Sequence, residues 1–287
     1  MFTHEFVRNA YLAGTFIALA CGTIGWFVVL RGQVFAGDAL SHVAFVGAIA
    51  AAAVGLSEQV GLFALTLVFA AAMAALGRRA QADDVVIGIV FAWILGLGVL
   101  LLAVLATSSG GGSGITAANT LFGSIYSLSA GASRLAAAIT LLVSGFVIAA
   151  ARPLLLSTLD PELAAVRGVP VRLLGLAFLC ALAIVTAEST EAVGALLLLG
   201  LIAAPAGAAR ALTARPYLGV ALSGLLAVCA MWGGLALSYA IASLPPSSAI
   251  IGLAAAEYAA SAAIGGWRRT RARGRELDRD RLSVAAG

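Results

Sequence analysis

Apolar runs of hydrocarbon length, separated by short polar breaks, fill the chain from Val7 to Trp267. A helix needs about 20 predominantly apolar residues to cross the hydrocarbon core of a bilayer. Runs that reach or approach this length are Val7–Leu30, Val34–Leu56, Val60–Leu76, Val85–Ala106, Leu135–Ala151, Val171–Ala187, Ala192–Ala209, Leu218–Ile241 and Ala249–Trp267. They predict an all-α, polytopic membrane protein of nine transmembrane helices, or eight if one of the first five is short or interfacial. A polar, glycine-rich stretch (Thr107–Thr120) and an ambiguous piece (Leu121–Ala130) separate the fourth run from the fifth. Gly110 to Gly114 reads as a flexible loop, since the lysine and the strand of a phosphate cradle are missing.

Composition agrees with the pattern. The 287 residues are 62% hydrophobic and 10% charged, against about 25% charged in a soluble domain. No core absorbs that excess, so the solvent for much of the surface is lipid. Every one of the 17 basic residues is arginine. Without lysine there is no Walker A motif and no Schiff base, so the chain is neither a P-loop ATPase nor a retinal or pyridoxal protein. No cofactor is expected to be bound permanently. Cys21, Cys180 and Cys229 lie in apolar runs without metal spacing and read as small buried hydrophobes.

The arginines also orient the chain. Seven fall between Arg268 and Arg281, which predicts a cytoplasmic C-terminus and divides the chain into a permease domain, residues 1–267, and an arginine-rich tail, residues 268–287. Counting back puts Arg152–Arg172, Arg210 and Arg215, and Arg78 and Arg79 on the same side. The net charge of +4 therefore reflects topology and calls for no nucleic-acid partner. The N-terminal run carries Glu5 beside Arg8 and continues past Cys21, which predicts a first spanning helix rather than a cleaved leader.

Against this background Asp38 and His42 stand out. They lie four residues apart, on one side of a helix, inside a hydrocarbon-length run. Ionisable groups there are costly and usually functional. Carboxylate oxygen with imidazole nitrogen suits zinc or manganese. One chain offers two such ligands, too few for a closed tetrahedral site; a two-fold axis would double them. The imidazole must be neutral to ligate, so binding should weaken in acid. The bland alternative is an Asp38–His42 hydrogen bond that glues helices. Elsewhere, Glu188 and Glu191 read as surface carboxylates, or else as an acidic mouth. Asp83 and Asp84 read as a helix start. Glu257 lies mid-span and could pair with Arg134 or Arg210, and Pro205 predicts a kink.

Residues 157–170 are too short and too polar to span. Asp160 suits an N-cap, Pro161 the first helical position and Glu162 the positive end of the dipole, while Gly168 and Pro170 stop the helix. From the residues alone it is either an ordinary capped loop helix or a docking knob that a motor subunit could push against.

Four stretches together resemble the permease subunits of bacterial ATP-binding-cassette importers for zinc, manganese and related metals. They are Val29-Leu30-Arg31 with Gly37-Asp38-Ala39-Leu40-Ser41-His42, then Leu121 to Ile125, then Asp160-Pro161-Glu162-Leu163-Ala164 through Gly168, and Val193 to Leu197 through Pro205-Ala206. The resemblance implies a multi-pass protein of the bacterial inner membrane, a second permease copy around a central path, two ATPase subunits and a metal-carrying binding protein. It implies that Asp38 and His42 contact the metal, and that Asp160, Pro161, Glu162, Leu163, Ala164, Arg167 and Gly168 form the coupling helix. Glu188 to Glu191 depart from the pattern. Zinc and manganese stay open, and a proton-coupled secondary metal transporter is the alternative.

Overall fold

The computed structural model describes residues 5–76, 84–108, 123, 125–195, 198–241 and 243–285. Residues Gly110–Gly114, Arg78, Arg79 and Asp83 lie outside them. Among the described residues the chain is helical throughout: α1 Glu5–Leu30, α2 Val34–Ala53, α3 Glu58–Leu76, α4 Asp84–Ser108, a 3-10 turn Ile125–Ser127, α5 Ala130–Ala149, α6 Ala151–Leu159, α7 Pro161–Val166, α8 Val171–Val193, α9 Leu198–Leu212, α10 Pro216–Ala240 and α11 Pro246–Ala285. Eight of these are long and apolar enough to cross a membrane, and α9 is a shorter apolar helix. Eight of the nine apolar runs have a helix of spanning length, and the short one falls in the seventh run rather than among the first five.

Boundaries differ from the sequence reading where polar groups find local partners. Helix α5 starts earlier than Leu135 because Ser129 caps it, its hydroxyl accepting from Ala132 N at 3.2 Å. Helix α8 does not stop before Glu188. Thr186 and Thr190 donate to the carbonyls of Leu182 and Thr186, each at 2.7 Å, which satisfies their hydroxyls within the helix. The break comes at Gly194, whose φ of 93° suits glycine and stops the helix. The run Ala192–Ala209 is thus shared between the end of α8 and the short α9. At the other end of the chain, α11 continues beyond Trp267 to Ala285 without interruption.

Helix α1 is the central strut, packed along α5, α9 and α10. Its Gly22 lies against the Ser223 backbone and accepts from the Ser223 hydroxyl at 2.6 Å. Small residues at such crossings let backbones approach where lipid offers no hydrophobic drive. Helix α2 sits between α3 and α4 and is backed by α8. It crosses α3 at Gly47 and Gly61, each of which has the other's carbonyl where a Cβ would go.

Candidate functional site

Helix α2 is apolar nearly all round, and its first turns carry the candidate ligands. Asp38 and His42 share one side of it, both half-buried. The His42 ring lies against Phe91 of α4, centroids 5.3 Å apart, and Phe91 in turn meets Phe35 edge-on at 6.2 Å. No hydrogen bond joins Asp38 to His42 among the described residues. The gluing pair allowed by the sequence is therefore not what is found; the two polar heads are held near each other and left free. No group of three or more His, Cys, Asp or Glu side chains converges among the described residues. One chain contributes the two candidate ligands.

The backbone beneath these side chains is tethered. The Ser41 hydroxyl lies 2.7 Å from the Asp38 carbonyl and 3.0 Å from the Ala195 carbonyl, and donates to them. Ala195 belongs to the break after α8, where its carbonyl has left the regular ladder. The acceptor is free because Gly194 ends the helix, and it holds α2 at the level of the ligand pair.

At the head of α2 two polar residues lack partners. Gln33 is 3% exposed, and neither amide atom has a hydrogen bond. Arg31 stacks its guanidinium over the Phe178 ring of α8, 4.9 Å from the centroid, with Nε and Nη1 buried and unpaired. The sequence offered no sign of the state of Arg31, because the ring beneath it comes from α8.

Glu188 corrects an expectation. Rather than a surface carboxylate, it is 6% exposed with Oε2 unpaired. Its neighbour Glu191 accepts from Gln59 Nε2 through both oxygens, at 3.2 and 3.3 Å. Ile184, one turn below Glu188 on the same face, lines a groove with Phe63, Leu67 and Leu135. That places Glu188 toward α3 and α5. Glu257 also has a buried unpaired Oε2, while Arg210 reaches the Val29 carbonyl at 3.4 Å instead.

The knob is built as its sequence suggests, in a shorter form. Ser157 to Leu159 end α6, and the helix proper is Pro161–Val166. Asp160 caps it, accepting from Glu162 N at 3.1 Å and Leu163 N at 2.9 Å. Ala164 is fully buried beneath it, Arg167 ends it, and Gly168 follows at φ 78°. Leu159 and Val166 are 76% and 84% exposed, and a groove of about 540 Å³ runs between the knob and the start of α8, past Pro161, Glu162 and Arg172. Exposed branched side chains beside an open groove make a surface suited to a partner.

Three comparisons bear on this arrangement. The family model described as the ABC 3 transport family matches residues 3–265. The chain is 30% identical over 234 residues to the manganese transport system membrane protein MntC of Halalkalibacterium halodurans, covering 81% of this chain and 76% of that one. It is 28% identical over 235 residues to the high-affinity zinc uptake system membrane protein ZnuB of Haemophilus influenzae, covering 82% and 88%. Among solved structures it shares the fold of PsaBC from Streptococcus pneumoniae in complex with Fab, with a TM-score of 0.78 and 24% identity over 90% of this chain and 91% of that one.

Proposed function

Because the chain belongs to the ABC 3 transport family, we propose that it is the membrane permease of an ATP-driven importer of divalent transition metal ions. The cargo is zinc or manganese, and Asp38 and His42 contact it in passage. The observation that carries this reading is the state of those two side chains. A carboxylate and an imidazole lie together on a membrane helix, half-exposed, and neither is consumed by a protein hydrogen bond. Oxygen and nitrogen ligands of this kind suit a borderline divalent cation. An incomplete ligand set suits transport, since the ion must leave again. A second copy of the chain, related by a two-fold axis, brings the set to two carboxylates and two imidazoles. The relatives named for manganese and for zinc transport support the cargo class and leave the choice between the two metals open.

The chain supplies the path and its partners the work. ATP binding and hydrolysis take place in separate ATPase subunits docked on the knob Asp160–Gly168, and a metal-carrying binding protein delivers the ion at the other face. The protein sits in the inner membrane of a bacterium, with the knob and the tail from residue 268 in the cytoplasm. Motion of the knob passes to α8, which starts three residues beyond Gly168, and opens or closes the path along α2.

Uptake of radioactive manganese and zinc by cells carrying D38N or H42Q tests the path. Both variants are expected to lose uptake while keeping wild-type amounts of folded protein in the membrane. Binding to the wild type should be weaker at about pH 5 than at about pH 7.5, as protons compete for the imidazole. Wild-type uptake in both variants refutes the site. Uptake that persists with the ATPase subunit inactivated and follows the proton gradient identifies a secondary transporter instead.

A further inference from the structure

Beneath the candidate metal site, the turn between α1 and α2 holds a cation with unmet bonding capacity. Arg31 keeps Nε and Nη1 buried and unpaired above the Phe178 ring. Burial lowers its guanidinium to about 10, so it still carries its charge at neutral pH. Next to it, Gln33 is buried with both amide atoms unpaired. Buried donors without acceptors are costly and call for an explanation. One explanation is a second position in which they are satisfied.

Helix α8 shows where that position lies. Phe178 and Leu182 are four residues apart on α8, one turn along the same face. Phe178 carries the guanidinium, and the Leu182 methyl lies 4.0 Å from where a Cβ on Gly37 would stand. The guanidinium therefore rests ~6 Å below the level of Gly37 along α8, and Asp38 is the next residue after Gly37. Asp38 projects ~100° round α2 from Gly37, so the second position lies about one turn up and round the helix from the ring. Asp38 has an open carboxylate to receive the guanidinium. Arg210, the other cation beside this turn, is turned to the Val29 carbonyl.

We propose that Arg31 is the inner gate of the path: its guanidinium alternates between the Phe178 ring, which leaves Asp38 open to a metal ion, and the Asp38 carboxylate, where it replaces the departing metal and closes the inner exit. The proposal rests on the metal reading of Asp38. A guanidinium is suited to the exchange, since its planar fork pairs with a carboxylate through two parallel N–H bonds. Occupying Asp38 also spares an empty site the cost of an unpaired carboxylate within the membrane. Arg31 is thus a positioning residue that acts through Asp38.

The intact transporter in membrane vesicles, with manganese or zinc ion as the probe, gives the test. If Arg31 holds Asp38 nine-tenths of the time, its removal raises apparent metal affinity about tenfold. R31Q is expected to bind metal about that much more tightly, to half-saturate uptake at lower concentration, and to turn over more slowly because release lags. R31K keeps the charge and should stay nearer the wild type. F178L removes the resting place of the guanidinium and should shift affinity the opposite way, which also serves if R31Q does not fold. Both effects act through Asp38, so neither substitution should alter the residual metal binding that His42 leaves in a D38N background, as a double-mutant cycle requires of interacting groups. The gate is overturned if R31Q binds no more tightly than the wild type, or if the R31Q or F178L effect persists unchanged with D38N. A D38N variant that binds metal normally overturns the site itself; loss of binding in D38N with no gain in R31Q overturns the gate alone.

Discussion

The knob can be weakened without touching its surface. Asp160 contributes two hydrogen bonds to the first turn of α7, at 3.1 and 2.9 Å. Loss of such a cap costs about 1 kcal/mol, with a range of roughly 0.5–2. Helix α7 has six residues, and isolated helices shorter than ~12–15 residues are marginal in water. Its order therefore rests on the cap, on Pro161 at the first position and on the anchor Ala164. About 1 kcal/mol changes the ratio of ordered to frayed knob about fivefold, while the eight long helices keep the membrane fold. D160A is thus expected to lower metal uptake several-fold, to lower the metal moved per ATP hydrolysed, and to reduce co-purification of the ATPase subunit, at an unchanged amount of permease in the membrane. D160N and D160S also cap helices, so both should recover most of the loss. The reasoning is refuted if D160A couples normally. It is equally refuted if D160N is as poor as D160A, since the carboxylate would then act through its charge and not through the cap.

Other substitutions probe the rest of the frame. G61A places a methyl against the Gly47 carbonyl and 2.6 Å from the Ala51 Cβ, so α2 must move; overpacking of this kind costs about 1–3 kcal/mol, and both melting temperature and uptake should fall. E188Q removes the ionisable group from a buried site without a hydrogen-bonded partner for Oε2; thermal stability should hold or rise and uptake should persist, whereas loss of uptake in a folded E188Q protein would put Glu188 on the path. S41A removes the donor to the Ala195 carbonyl at a cost of about 1 kcal/mol; ATP hydrolysis should continue while uptake drops, and equal loss of both would mean that the bond serves folding alone.

The sequence was most legible where chemistry is local. Eight of the nine apolar runs became long helices because lipid demands internally bonded segments of sufficient length; the seventh was split by Gly194 between the end of α8 and the short α9. The spacing of Asp38 and His42 sufficed to place them side by side, and Asp160-Pro161 announced its own cap. Legibility failed where partners come from far along the chain. Glu188 to Glu191 looked like a surface break because four polar residues adjoin, yet Thr186 and Thr190 close back on α8 and tertiary packing leaves Glu188 buried. The condition of Arg31 depends on Phe178, and the tether of Ser41 on Ala195, separations that no local pattern encodes.

These long-range contacts draw the proposed knob and the proposed site into one mechanical line. Helix α8 begins at Val171, directly after the knob, and ends at Val193, next to the break that offers the Ala195 carbonyl to Ser41. Its 23 residues span ~34 Å as a rigid rod, long enough to carry a displacement across most of a bilayer. Near its lower end the rod supports Arg31 through Phe178; one turn higher Leu182 approaches Gly37; beyond its upper end the Ala195 carbonyl holds the backbone at Asp38 through Ser41. A tilt of α8 driven from the knob therefore acts on α2 at separated points, and the ligand pair lies among them. Contiguity of this kind becomes coupling only if the linked element has two arrangements that both ends bias. Arg31 on Phe178, as observed, and Arg31 on Asp38, as proposed, are two such arrangements, and α8 carries the residue that selects between them. On this view a shift of α8 that slides Phe178 from under the guanidinium exchanges one cation for another on the same carboxylate.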